Sequence, residues 1–127
     1  MLELDLRSHK SIYEQITDKF KELIMTGELE CGAKIPSVRD LSKTLGVNPN
    51  TIQKAYRELE RQGYIYTATG VGTFVADKRD IKPDHEAVEK AKETIRGGFK
   101  ELLYLGLSAE EAMKIAQEVI REKGEDK

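Results

Sequence analysis

Ile35-Pro36-Ser37-Val38-Arg39-Asp40-Leu41-Ser42 and, from position 46, Gly46-Val47-Asn48-Pro49-Asn50-Thr51-Ile52-Gln53-Lys54-Ala55-Tyr56 read as a short helix, a glycine-stopped turn and a second helix. The second helix starts with Asn, Thr, Gln and Lys, where a helix start ordinarily favours acidic residues. A helix N-terminus exposes unpaired N–H groups that attract phosphate, and Asn or Gln beside it offers a donor and acceptor pair to a base edge. Asn48 is placed to cap this helix, with Pro49 as its first residue. Asn50, Gln53, Lys54 and Arg57 recur at helical spacing and share one face. Ile52, Ala55, Tyr56 and Leu59 form the opposite, apolar stripe that anchors the helix to its domain. Such a polar face is either ordinary solvated surface or one that reads nucleic acid, and its setting decides between them.

Working outward, Ser11 and Glu14 make a capping box. Behind it Ile12, Tyr13, Ile16, Phe20, Leu23 and Ile24 form a helical stripe that Gly27 closes. Ser37, with Arg39 and Asp40, opens the short helix, and the one after it runs from about Asn48 to Gln62 and ends at Gly63. After Gly63 the period changes. Tyr64-Ile65-Tyr66-Thr67-Ala68 and Thr73-Phe74-Val75-Ala76 are β-prone runs separated by Thr69-Gly70-Val71-Gly72, which predicts a hairpin. Three helices followed by a hairpin is the order of a winged helix-turn-helix, in which the third helix enters the major groove and the hairpin reaches beside it. The small residues Thr69, Gly70 and Gly72 let the hairpin tip approach a phosphate or a minor groove. The bland alternative is an ordinary turn that needs glycine for positive φ.

The charged stretch Asp77 to Pro83 marks a boundary. Beyond it Asp84 caps a long helix bearing Val88, Ala91, Ile95, Phe99 and Leu102, and Gly106 stops it. Ser108 with Glu111 makes another capping box, and Ala112, Met113, Ala116, Val119 and Ile120 form the stripe of a last helix placed before Gly124. Gly97-Gly98 inside the longer helix predicts a bend or a close crossing. The fold class expected is α+β and mostly helical: a winged helix-turn-helix DNA-binding domain over residues 1–78 and a two-helix C-terminal dimerisation arm over 79–127. So small a pair of helices cannot bury both its stripes on itself, and a second copy of the chain is the favoured cover.

Of 127 residues 35% are charged and 39% hydrophobic, enough for one domain with a helical appendage and a core of its own. No apolar run approaches a membrane span and Met1 to Lys10 is too polar for a signal peptide, so a cytoplasmic location is expected. A single cysteine, Cys31, makes no internal disulfide and reads as a small loop residue. Without a second cysteine or a clustered histidine pair there is no metal spacing, and no cofactor is expected. His9 and His85 carry no assigned chemistry. A formal net charge of −2 argues against a nucleic-acid binder. The charge is unevenly spread, however. Residues 31–76 hold six cations (Lys34, Arg39, Lys43, Lys54, Arg57, Arg61) against Asp40, Glu58 and Glu60, while residues 80–127 hold nine cations against twelve acids. The local excess lies where the motif lies, which is what phosphate contact requires.

The chain resembles the GntR family of transcriptional regulators, in its short YtrA-type subfamily. The resemblance is carried by Ile12-Tyr13-Glu14-Gln15-Ile16, Ile35-Pro36-Ser37-Val38-Arg39, Val47 to Tyr56, Leu59-Glu60 with Gly63, and Gly70-Val71-Gly72-Thr73-Phe74-Val75, in order over residues 4–76. It implies DNA contact through Arg39, the start of the third helix and the hairpin tip. The residues carried over are Arg39, Asn48, Asn50, Thr51, Gln53, Thr69 and Gly70. Ser37, Lys54 and Arg57 join them from the reading of the two helices. Other branches place arginine where this chain has Pro49 and Gln53, so their guanine contacts do not transfer, and Asn50 and Gln53 suit adenine better. In this subfamily two helices after the winged domain imply a dimerisation arm; about fifty residues leave no room for an effector domain, and no residue cluster identifies an effector.

The function expected is a homodimeric, sequence-specific repressor that binds an inverted repeat in double-stranded DNA at a promoter. Repression and a link to transporter genes come from the resemblance alone. The competing reading is a winged-helix module for protein contacts without sequence-specific DNA binding. An enzyme is the weakest class, since no paired carboxylates, no nucleophile with a base and no convincing phosphate loop appear.

Overall fold

In the computed structural model, which describes residues 2–125, the chain divides between Lys82 and Pro83 into two compact units. The first contains α1 (Ile12–Met25), β1 (Lys34–Ile35), α2 (Val38–Leu45), α3 (Pro49–Arg61), β2 (Ile65–Ala68), β3 (Gly72–Val75) and a 3-10 turn at Lys78–Asp80. The second contains α4 (His85–Tyr104) and α5 (Ala109–Glu125). It is the mostly helical winged fold expected, with a hairpin after the third helix and two helices behind it.

Local signals set the element starts. Ser11 Oγ accepts the Glu14 N–H at 3.2 Å, Ser37 Oγ accepts the Asp40 N–H at 3.0 Å, and Asn48 Oδ1 accepts the Asn50 N–H at 2.8 Å, so three helices open on side-chain caps. Asp84 caps α4 through the N–H groups of Glu86 and Ala87. Before α5 the Ser108–Glu111 box is reciprocal, each side chain accepting the other's backbone N–H at 3.1 and 3.0 Å. At the end of α3 the N–H groups of Gly63 and Tyr64 bond to the carbonyls of Glu60 and Leu59, with Gly63 at φ 87°. This left-handed cap turns the chain directly into β2. Gly63 is also where the 3-10 turn crosses: a Cβ there would collide with the Asp80 carbonyl, and Lys82 N–H donates to Gln62 O at 2.8 Å.

The core of the first unit is where the helix stripes meet. Ile16 and Phe20 of α1, Leu41 of α2, Ile52, Ala55 and Leu59 of α3, and Ile35, Ile65 and Val75 of the sheet are all buried together. The Phe20 and Tyr56 rings meet edge to face at 5.7 Å. The sheet has three strands in the order β1-β3-β2, all antiparallel, with Lys34 opposite Phe74 and Tyr66 opposite Phe74.

Several boundaries differ from the sequence expectation. Lys34–Ile35 forms a strand that the sequence reading did not identify, because two residues followed by proline carry no periodicity of their own. The hairpin strands begin at Ile65 and Gly72, one residue from the expected positions at each start, and β3 ends at Val75. Gly97 and Gly98 do not break the run of α4, and a Cβ built at either meets nothing within 4 Å, so no close crossing is made there among the described residues. The last helix continues through Gly124. One glycine costs a helix only about 1 kcal/mol and stops it only where a left-handed cap forms. Such a cap does form after α4, at Gly106 with φ 97°.

In the second unit α4 and α5 pack with Ala112 fully buried and Phe99, Leu102 and Ile115 half-buried, while Val88 and Ile95 of the α4 stripe are exposed. No helix among the described residues is long and apolar enough to cross a membrane.

Candidate nucleic-acid interface

The candidate interface is built on α2, α3 and the tip of the hairpin. Two contacts fix the angle between the helices. Ser42 Oγ donates to Val47 O across the turn while Val47 N–H donates to Ser42 O at 3.2 Å, and Tyr56 Oη donates to Pro36 O at 2.7 Å. Ser42 thereby ties α2 to the residue just before the cap of α3, and Tyr56 ties α3 back to the residue just before the cap of α2. Burial pushes the Tyr56 phenol well above its ordinary pKa, so it stays a neutral donor.

On α3 the exposed surface sorts into three strips. Asn50 and Arg57, seven residues apart, face directly away from the buried stripe and are exposed. Gln53 shares a strip with Glu60, which accepts the Thr67 Oγ1 hydroxyl at 2.7 Å, so Gln53 lies on the flank nearer the hairpin. Lys54 lies on the opposite flank, with Nζ 4.5 Å from the centroid of the Tyr13 ring, a cation–π distance. Thr51 is half-buried and lines a groove with Leu2, Leu4 and Ile12 and a second one with Tyr13, Asn50 and Lys54.

The acidic residues of α3 are both engaged. Glu58 receives Arg61 Nε at 2.9 Å, a second Arg61 nitrogen at 2.5 Å and the Gln62 amide at 2.6 Å. The Arg61 guanidinium, then the Gln62 amide, lower its pKa to about 2. Glu60 is held by Thr67. Outward on α3 lie the amides of Asn50 and Gln53 and the cations Lys54 and Arg57, together with the Glu58–Arg61 pair and Glu60, which is exposed and bonded to Thr67. Arg39, the second residue of α2, and Lys43 are exposed and have no carboxylate partner among the described residues.

Ser37 and Asn48 are exposed but serve first as caps; their acceptor oxygens are occupied, leaving the Ser37 hydroxyl proton and the Asn48 NH2 as donors for a phosphate or base. Thr69 and Gly70 form the hairpin tip. Val71 N–H donates to Ala68 O at 2.9 Å and Gly70 takes φ 79°, so glycine is there for the turn as well as for its small size. The stacked rings of Tyr66 and Phe74, 5.6 Å apart, brace the strands behind the tip.

The sequence reading missed Ser42, whose role depends on a carbonyl five residues away, and the reciprocal clamp of Gln15. The Gln15 amide accepts Asp5 N–H at 2.7 Å and donates to Asp5 O at 2.8 Å, pinning the N-terminal segment whose Leu2 and Leu4 line the groove beside Leu45, Val47 and Asn48. Neither residue differs locally from an ordinary polar helix position.

The model of the family of bacterial regulatory proteins named gntR matches residues 12–75. The HTH-type transcriptional repressor YtrA of Bacillus subtilis (strain 168) is 36% identical over 94% of this chain and 92% of its own length. Among solved structures, a transcriptional antiterminator from Listeria monocytogenes EGD-e superposes with a TM-score of 0.78 at 39% identity, covering 97% of this chain and 92% of that one. AraR(DBD) in complex with operator ORE1 superposes with a TM-score of 0.51 at 33% identity over 60% of this chain and 93% of that one. With its helix-turn-helix, its hairpin and these likenesses, the chain belongs to the gntR family of bacterial regulatory proteins and is a transcriptional regulator rather than an enzyme.

Proposed function

We propose that the chain acts in the cytoplasm as a homodimer that binds an inverted repeat in double-stranded DNA at a promoter and represses transcription. The start of α3 enters the major groove, where Asn50 and Gln53 read base edges and Arg57 meets the backbone. Arg39 approaches from α2, and Thr69 and Gly70 approach from the hairpin tip. Ser37 and Asn48 donate from the helix caps, and Lys54 adds charge at the flank. The observation that carries this reading is the disposition of charge on α3: both carboxylates are engaged by neighbours while the amides and Arg57 stay exposed. The operator complex of AraR supports DNA as the partner of this domain type, and the repressor YtrA supports the sense of regulation. Transporter genes as targets rest on the subfamily resemblance.

Dimerisation is assigned to the second unit. Ile95 is 69% exposed, Ile120 71% and Leu105 71%, with Met113 and Val119 also exposed, an apolar surface that a second copy would cover. Two half-sites then follow from two-fold symmetry, and joining two weak readers raises affinity.

The test is a pair of single variants, Arg39→Ala and Arg57→Ala, titrated against duplex DNA over a range of salt. Each is expected to weaken binding and to make the slope of log affinity against log salt shallower by about 0.9 for each phosphate contact removed. Unchanged affinity and slope in both would place the interface elsewhere and favour the protein-contact reading.

A further inference from the structure

The hairpin that is proposed to approach DNA carries no charge of its own. From Tyr64 to Ala76 there is no Lys, Arg, Asp or Glu. A tip made only of Thr69, Gly70 and Val71 can offer N–H groups and a hydroxyl to a phosphate, but nothing that displaces a counterion. The structure supplies the missing charge from another element. Lys34 on β1 stands opposite Phe74 in the ladder, and Phe74 stands opposite Tyr66, so the three lie in one row on one face of the sheet. The buried residues Ile35, Ile65 and Val75 belong to the other face. From this row the Lys34 side chain does not point straight out. It leans along β3 toward the turn and crosses Gly72, two residues nearer the tip than its own ladder partner. A Cβ on Gly72 would lie 2.7 Å from Lys34 Cε and 3.4 Å from Nζ. A Cβ there would have to move the far end of the lysine side chain, and Gly72 also takes φ 149°, a backbone conformation that favours glycine.

We propose that Lys34 is the phosphate-binding cation of the wing, delivered to the hairpin tip across Gly72. This rests on the reading above that α3 and the hairpin face DNA. Three observations bear it. Lys34 is exposed and has no carboxylate partner among the described residues. The stem lies along the sheet, so part of the rotamer freedom a lysine loses on binding has already been given up. The Tyr66–Phe74 ring stack occupies the rest of the same row on that sheet face. Gly70 and Gly72 both take a positive φ that favours glycine, and at Gly72 the missing Cβ also leaves room for the lysine stem.

The experiment titrates the full chain with labelled random-sequence duplex DNA at several salt concentrations, comparing wild type, Lys34→Gln, Lys34→Arg and Arg39→Ala. Random duplex reads phosphate contacts without needing an operator. Lys34→Gln is expected to flatten the salt slope by about 0.9 per bound copy, and Lys34→Arg to keep the wild-type slope. Because Lys34 is exposed, the thermal midpoint of Lys34→Gln should match wild type, which separates a lost contact from a damaged fold. If Lys34→Gln keeps the wild-type slope while Arg39→Ala loses part of it, the role of Lys34 is refuted and the DNA interface stands. If neither variant changes the slope, the DNA-binding reading of this face fails and the proposal falls with it.

Discussion

Glu58 shows how one residue serves both stability and charge presentation. Its carboxylate accepts from Arg61 and Gln62, and these bonds favour the ionised form enough to lower its pKa to about 2, against an ordinary glutamate near 4.5. The folded state therefore holds this proton less tightly than the unfolded one. The stabilisation is complete above about pH 4.5 and is lost as the pH falls toward about 2. Thermal melts from pH 6 down to about pH 2 are expected to show Glu58→Gln less stable than wild type at the upper end and the gap closing at the lower end. A gap that stays constant over this window would mean that the pairing does not exist in solution. At neutral pH the same bonds pair this carboxylate with Arg61 and Gln62 beside the face proposed to meet phosphate.

The connection between α2 and α3 depends on a few hydrogen bonds that no propensity reveals. Ser42 Oγ donates to Val47 O within the turn. Ser42→Ala leaves that carbonyl short of a partner and is expected to cost roughly 0.5–1.5 kcal/mol of stability. It is also expected to weaken binding on every DNA sequence, since α3 is less well held, while leaving the salt slope at its wild-type value because no cation is lost. A changed slope would show that Ser42 acts on the DNA directly. Element starts were legible in the sequence because caps are local: Ser11, Ser37, Asn48, Asp84 and Ser108 each bond to an N–H two or three residues on. Strand β1 was not, because Lys34–Ile35 is ordered only by pairing with Thr73 and Phe74, far along the chain. The candidate site shows the same division. Periodicity found the face with Asn50 and Arg57, but the turn of Lys54 onto Tyr13, the half-burial of Thr51 and the lean of Lys34 over Gly72 depend on neighbours from other elements.

For the whole molecule, a net charge of −2 is compatible with DNA binding because the charge is segregated: the stretch from Cys31 to Ala76 has a cationic excess and the stretch from Asp80 onward an acidic one. The winged unit has a core and an exposed polar face, and the α4–α5 unit has an exposed apolar surface that a second copy is proposed to cover. Those two surfaces together make the central claim, a two-fold symmetric reader of DNA. The measurement that tests it most directly is selection of bound sequences from a random duplex library by the purified chain at near-physiological salt. Enrichment of an inverted repeat is expected, with A·T pairs where Asn50 and Gln53 meet the half-site. An enriched repeat rich in G·C at those positions would contradict the base assignment, and no enrichment beyond salt-sensitive background would contradict the claim itself.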